Sequence, residues 1–281
     1  MMVEKNKLLP FVKWAGGKRQ ILNEIISRLP ENIDELTYVE PFVGGGAVLF
    51  ELKPKHAVIG DLNKELITTY LAIQKAPEQL IMDLKRHENT AEYYYEIRNL
   101  DRDKEKFANL NYIEIASRFI YLNHTCFNGL YQVNKKQEFN VPFGNYKKPN
   151  IVNETGIMAV SEYLNENDVK IFCGDYKKCV SLAGDNIFVY LDPPYQPFSG
   201  KTNFTSYTAN GFGPADQIAL RQFCKSLHEK GVKFMESNSE TLFIRELYKA
   251  FCNIDTIQAK RAINSKSDGR GNVGEFLIRN Y

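Results

Sequence analysis

The sequence predicts an α/β protein in which a mostly parallel sheet carries an inserted, mainly helical domain. Three observations lead there. Short apolar runs of strand length recur near both ends of the chain and alternate with helical patterns; a block of amphipathic segments with helical spacing separates the two groups; and several of the runs end on an acidic residue.

Taken in order, a helix over about Lys18 to Leu29 precedes a strand ending at Val39, a glycine turn with its helix, and a second strand from His56 to Gly60 that runs into Asp61. From Asn63 to about Asn123, "KELITTYLAIQK", "EQLIMDLKRHE", "AEYYYEIRNL" and "NYIEIASRFIYLN" carry apolar residues at helical spacing. The stretch "CFNGLYQVNKKQEFNVPFGNYKKPN" that follows reads as loops with a hairpin. Strands return as "VKIFCGD", "NIFVYLD", "VKFMESN", "NIDTIQA" and "EFLIRNY", separated by helices such as Asp216 to Lys230 and Thr241 to Ala250. Only a short connection joins the last two strands, so that edge is expected to be antiparallel. The chain divides accordingly into a sheet domain, residues 1–62 and 168–281, and an insertion, residues 63–167.

Composition excludes several classes. With 281 residues, 43% hydrophobic and 25% charged, the chain has the balance of an ordinary soluble globular protein. No apolar run approaches the roughly 18 residues that span a bilayer, and the start lacks the apolar core of a signal peptide, so a cytoplasmic protein without a membrane partner is expected. The five cysteines, Cys126, Cys173, Cys179, Cys224 and Cys252, are scattered and suggest neither a disulfide framework nor a metal site. A net charge of +2 neither demands nor excludes nucleic acid, but its distribution is uneven. Lys135, Lys136, Lys147 and Lys148 crowd one stretch, and Lys260, Arg261, Lys266 and Arg270 another.

The chemistry concentrates where strands end. In "NIFVYLDPPYQPF" an apolar run fit for an interior parallel strand stops at Asp192, because Pro193 and Pro194 lack the N–H that a ladder needs. A carboxylate, the Pro193 carbonyl and the Tyr195 ring are thereby placed just past the carboxyl end of a strand, the edge at which open α/β sheets bind ligands. Gly44, Gly45 and Gly46 form a strand-to-helix turn that lets a ligand approach the backbone, although a tight turn alone explains them as well. The spacing fits neither a dinucleotide fingerprint, since Leu49 stands at its third glycine, nor a phosphate-binding lysine loop. Asp61 is placed like the acid that binds ribose hydroxyls in nucleotide folds, and equally like a cap for the helix after it. Glu40, Asp61, Asp175 and Asp192 together suit a nucleoside ligand that lacks phosphates and carries a positive centre.

"FVKWAGGKRQIL", "EPFVGGGAVLF", "IGDLN", "NGLY", "EFNVPFGNYKKP", "YLDPPYQP" and "NFTSYT" resemble, in this order, the motifs of the Dam and DpnM family of DNA adenine-N6 methyltransferases, the D12 class, whose common target is GATC. The likeness runs from about Phe11 to Tyr281. It implies a Rossmann-like S-adenosylmethionine-dependent methyltransferase sheet with an inserted, mainly helical DNA-recognition domain. It also implies S-adenosyl-L-methionine as cofactor, held by Trp14, Lys18, Glu40, Phe42, Gly44, Gly46, Asp61, Asp175 and Asp192. Asp192, Pro193, Pro194 and Tyr195 would act on an adenine flipped out of double-stranded DNA. Asn128, Gln132, Lys135, Lys136, Pro142, Asn145, Lys147 and Lys148 would contact that DNA, with Phe127, Tyr131, Phe139, Phe143 and Tyr146 interleaved on the same surface. Further implications are a monomer and a place in a restriction-modification system, beside a cognate endonuclease but not in stable complex with it.

One position departs from the family. After "NGLY", GATC enzymes carry an arginine suited to a guanine edge, whereas Gln132 is better suited to adenine, so the target is GATC or a site that differs at one base pair. Two other readings keep part of the pattern. Related tetrapeptides methylate the cytosine amine or a protein glutamine amide, and a non-catalytic DNA-binding relative would have no reason to combine Asp192, Tyr195, Lys18 and Asp61.

Overall fold

The computed structural model of the chain describes residues 8–195, 212–260 and 272–281. The motif "NFTSYT" (203–208), Arg261, Lys266 and Arg270 lie outside the described residues.

Seven strands form one sheet: β1 (Thr37–Glu40), β2 (His56–Asp61), β3 (Asp168–Cys173), β4 (Ile187–Leu191), β5 (Lys233–Ser239), β6 (Asn253–Lys260) and β7 (Asn272–Arg279). Their order is β3-β2-β1-β4-β5-β7-β6, in which β3 through β5 pair in parallel and β7 runs antiparallel to both its neighbours. The expected antiparallel edge is present, with β7 inserted between β5 and β6. From β1 the chain winds outward through β2 and β3, then returns to β4 on the other side of β1. The two connections leave β1 and β4 in opposite directions, which opens a crevice between their carboxyl ends.

Alternation along the strands feeds two cores. Tyr38, Phe188, Tyr190, Met235 and Leu277 point to one face, and Val39, Ile187, Val189, Leu191, Phe234 and Ile278 to the other. The second face is covered by α9 (Tyr176–Ser181), α10 (Pro214–Glu229) and α11 (Leu242–Tyr248). The first is continuous with helices between β2 and β3: α3 (Lys64–Lys75), α4 (Pro77–Leu84), α5 (Ala91–Asn99), α7 (Tyr112–Thr125) and α8 (Glu154–Glu166), whereas α6 (Lys104–Ala108) buries no residue. The expected boundaries at residues 62/63 and 167/168 fall at the end of β2 and the start of β3. Across them α3 packs on β2 and β3, α8 packs on β3, and Tyr121 shares a core with Tyr38.

Local differences from the expected elements have physical reasons. The helix expected over Lys18 to Leu29 is a 3-10 turn (Lys18–Gln20) followed by α1 (Leu22–Ile26), because Ile21 between them sits at φ −114° and ψ 12°, outside the helical region. Helix α8 has no counterpart among the expected elements; Asn153 caps it, and Ile157, Val160, Ser161 and Leu164 lie on its buried stripe. In the expected hairpin, backbone bonds join Phe127 to Pro142, Gly144 to Thr125 and Asn140 to Gln132, with isolated bridges at Cys126–Phe143 and Val133–Phe139 in place of regular strands. Its aromatics do not all face outward as expected. Phe139 is 2% exposed and Tyr131 stacks on Trp14 at 5.7 Å, since rings this large gain more by joining the adjacent core than by standing in water. Only Phe127 of the five is an exposed ring.

Candidate active site

Strand order brings the four acidic strand ends side by side. Asp175 follows β3, Asp61 ends β2, Glu40 ends β1 and Asp192 follows β4, so all four stand along the carboxyl edges of adjacent strands. Their environments then separate them.

Asp192 faces Lys18. The ammonium Nζ lies 2.8 Å from Asp192 Oδ1, donates to the Gly16 carbonyl at 2.5 Å, and sits 4.7 Å from the centre of the Tyr195 ring. Lys18 is only 4% exposed, which rules out a solvated residue at a helix start. Burial pushes the Asp192 carboxyl up to about 6, with Lys18 opposing the rise and the nearby Glu275 adding to it. The Tyr195 hydroxyl donates to Glu275 Oε2 at 2.9 Å, and burial raises its pKa well above the usual phenol value.

Asp61 is pinned by backbone. It accepts the Gly44 N–H at 3.2 Å and the Asn63 N–H at 2.9 Å, while burial pushes it up to about 6 against those bonds. The cap of α3 is Asn63, whose side chain accepts the Leu66 N–H at 3.0 Å, so Asp61 is not spent on capping that helix. Asp175 is the cap of α9, with Oδ1 taking the Lys177 N–H at 2.9 Å. Just past the ends of β1 and β3, the Phe42 ring stacks on Tyr176 at 5.4 Å and meets Phe212 edge-on at 6.2 Å, so an aromatic cluster stands at this edge of the sheet.

Glu40 is the last residue of β1. It is 2% exposed, takes the Tyr38 hydroxyl at 3.0 Å, and is pushed up to about 8 by burial, with the Asp192 charge contributing. A carboxyl whose pKa rises on folding stabilises the fold while protonated and loses that contribution as pH rises through its folded value. Glu40→Gln is therefore expected to match the wild-type melting temperature near pH 5 and to exceed it by on the order of 5 °C near pH 9. Thermal melts across that range check it.

The glycine turn, which leads into α2 (Ala47–Leu52), is shaped by its neighbours. Gly44 and Gly46 adopt φ of +47° and +72°, and a Cβ on Gly44 would stand 2.6 Å from the Trp14 ring. At Gly46 it would meet the Tyr70 hydroxyl at 2.6 Å and Phe50 at 2.9 Å. Gly46→Ala is expected to cost roughly 1–3 kcal/mol in a chemical denaturation series. Trp14 thus links the turn to the loop that carries Gln132 through its stack on Tyr131.

The eight expected DNA contacts, Asn128, Gln132, Lys135, Lys136, Pro142, Asn145, Lys147 and Lys148, are all exposed and border the same loop. Asn128 and Asn145 have φ of +56° and +52°, a backbone reason for asparagine at both positions. The loop is held from beneath by residues that local sequence did not reveal. Arg118, 2% exposed on α7, donates to Glu65 at 2.9 Å, to Asp101 at 2.8 Å and to the carbonyls of Ile97 and Arg98. Asp101 in turn takes the Phe139 N–H at 2.8 Å and pairs with Arg102. Asn123 joins the loop to the N-terminal motif, accepting from the Lys13 N–H at 2.8 Å and donating to the carbonyls of Lys13 and Gly129. No local signal marks Arg118, because all four of its partners lie on other turns or elements of the chain.

Among the described residues no helix is long and apolar enough to cross a membrane. The family model for D12 class N6 adenine-specific DNA methyltransferases matches residues 14–263. The chain is 48% identical to a type II methyltransferase of Lactococcus lactis subsp. cremoris, over 100% of this chain and 99% of the relative. It is 43% identical to a type II methyltransferase of Methanocaldococcus jannaschii, over 97% and 99%. With the DNA adenine methylase of Escherichia coli (strain K12) it shares 32% identity over 98% and 95%.

Proposed function

The chain belongs to the D12 class of N6 adenine-specific DNA methyltransferases, and from that premise we propose that it takes a methyl group from S-adenosyl-L-methionine and places it on N6 of an adenine flipped out of duplex DNA. The observation that carries this reading is the Asp192–Lys18 pair at 2.8 Å beside the Tyr195 ring, at the point where the sheet reverses its winding. The donor set suits the cofactor. Asp61, fixed by two backbone N–H groups, is an acceptor for ribose hydroxyls; Phe42 and Tyr176 offer a flat apolar wall; Lys18 is a cation for a carboxylate; and the acids at the strand ends favour a sulfonium. Asp175 has one oxygen committed to its helix, and we assign it the adenine edge of the cofactor. When bound, S-adenosyl-L-methionine supplies an electrophilic methyl group on sulfur.

The protein's own residues supply position. Flipping a base costs a few kcal/mol, and stacking on Tyr195 returns about 1–3 kcal/mol. The Asp192 carboxylate and the Pro193 carbonyl accept the two hydrogens of the adenine amine, which draws the nitrogen lone pair out of the ring and aims it. An ionised Asp192 also balances the charge that gathers on nitrogen, while Lys18 keeps it ionised near neutral pH. No nucleophilic side chain is needed, because direct transfer depends on alignment.

Residues 63–167 serve in this reading as the target-recognition region, with the exposed lysines on phosphates and Gln132 at a base edge. The site is GATC or one that differs from it at a single base pair. The type II relatives support a place in a restriction-modification system, in which the protein acts as a monomer and forms no stable complex with an endonuclease.

Expression in a bacterial host that lacks DNA methylation, followed by sequencing that reports modified bases in context, tests the whole reading. N6-methyladenine confined to one short motif is the expected result. Soluble protein that leaves every adenine unmodified, or that modifies the cytosine amine, would overturn it.

A further inference from the structure

The stretch after β4 has an anchoring problem. Pro193 and Pro194 carry no N–H, so neither can tie this segment to the sheet by donating a backbone bond. Two side chains from distant elements hold it instead. Gln217, fully buried near the start of α10, donates from Nε2 to the Pro194 carbonyl at 3.0 Å. The Gln217 amide is itself oriented by Asn238 of β5, whose Nδ2 donates to Gln217 Oε1 at 3.0 Å and to Glu236 Oε1 at 2.8 Å. Asn238 and Glu236 are likewise 0% exposed, and Asn238 Oδ1 takes the Ser239 N–H at 2.9 Å. From the other side, Glu275 of β7 accepts the Tyr195 hydroxyl at 2.9 Å. A buried amide whose donor and acceptor both have set partners cannot turn without orphaning one of them, so it fixes the carbonyl that it holds.

We propose that Gln217 and Glu275 are positioning residues for methyl transfer, which hold the Asp192–Tyr195 segment in working shape from two directions; this rests on the roles proposed above for Asp192 and Tyr195. Gln217 sets the peptide that follows the Pro193 carbonyl. Glu275 sets the plane of the ring on which the base stacks. Neither touches the reacting atoms, so their loss should slow transfer and leave cofactor binding alone.

The test uses the full chain and a duplex containing the motif read from the expression host. It compares single-turnover rate and S-adenosyl-L-methionine affinity for Gln217→Met, Glu275→Met, Tyr195→Phe and the Tyr195→Phe/Glu275→Met pair. Each single change is expected to slow transfer by about tenfold or more, with cofactor Kd within about twofold of wild type. The double variant is expected to be no slower than the slower of its two parents, since both remove one bond. Tyr195→Phe deletes a single oxygen and keeps the ring, and Gln217→Glu keeps the acceptor for Asn238 while removing the donor to Pro194; these two carry the test if a methionine variant does not fold. Wild-type rates in the Gln217 and Glu275 variants, multiplied losses in the double variant, or cofactor affinity that falls in step with rate would overturn the proposal. A wild-type protein that methylates no adenine is a different failure, that of the proposed function.

Discussion

Asp192→Ala is expected to slow single-turnover methyl transfer by roughly 10²–10³-fold or more, while the protein still folds. The carboxylate follows β4 with one oxygen 2.8 Å from Lys18, at the point where, in the proposed reading, the adenine amine donates one of its two hydrogens in a hydrogen bond. Alanine removes the acceptor and leaves Lys18, 4% exposed, without its carboxylate partner. The pH dependence gives a second reading. With the Asp192 carboxyl pushed up to about 6 by burial, activity should fall as pH drops through that value, because the protonated group no longer accepts from the amine. Its contribution to stability runs the opposite way: a folded pKa above the unfolded one favours the fold at low pH, and that contribution is lost as pH rises through about 6. Asp61, pushed up to the same value, adds to the stability trend but remains in the variant, so the difference between wild type and Asp192→Asn reports Asp192 together with the push that its charge exerts on Glu40 and Glu236. Rapid-quench rates and thermal melts from pH 5 to 8, on the same preparations, check both directions. A pH profile unchanged in the variant would separate Asp192 from the chemistry.

The second large effect falls on stability. Arg118→Met is expected to lower it by roughly 3–5 kcal/mol, the usual cost of removing one member of a buried ion network. Arg118 compensates both Glu65 and Asp101, and burial already pushes Glu65 up even with the guanidinium beside it. Without Arg118 both acids are left short of a partner, the carbonyls of Ile97 and Arg98 each lose one of two donors, keeping the Leu100 N–H and the Arg102 guanidinium, and Asp101 is less able to hold the Phe139 N–H. For a chain of this size the loss corresponds to a fall in melting temperature on the order of 10 °C. Because Phe139 and Tyr131 flank the loop that carries Gln132, duplex affinity should weaken more than cofactor affinity. Adding Glu65→Gln and Asp101→Asn to Arg118→Met should recover part of the stability, since it removes the stranded charges. Calorimetry and duplex titration measure the two effects, and a melt within about 2 °C of wild type would show that the network bears no load.

Periodicity and punctuation determined much of this protein. Apolar runs ending in an acid are strands whether or not the rest of the chain is known, and a doubled proline must leave a sheet; hence the strand ending before Asp192, the turn at Gly44 to Gly46 and the antiparallel last edge were legible. What periodicity could not supply was partners. The pairing of Lys18 with Asp192 spans most of the chain, and neither residue carries a mark of the other. Nor does Gln217 carry a mark of Pro194, Glu275 of Tyr195 or Arg118 of Asp101, and even the local cap of α3 falls on Asn63, which takes the Leu66 N–H, where the sequence offers Asp61. Burial reversed some expectations for the same reason. Tyr131 and Phe139 sit in a stretch rich in lysine and asparagine and look like surface aromatics, but the core of α7 lies directly beneath them, and burying a ring against it gains more than exposing it. Sequence alone determined which elements form and which residue types end them. Only tertiary structure decided which charges meet and which become neutral, because desolvation and ion pairing depend on neighbours that only folding brings together.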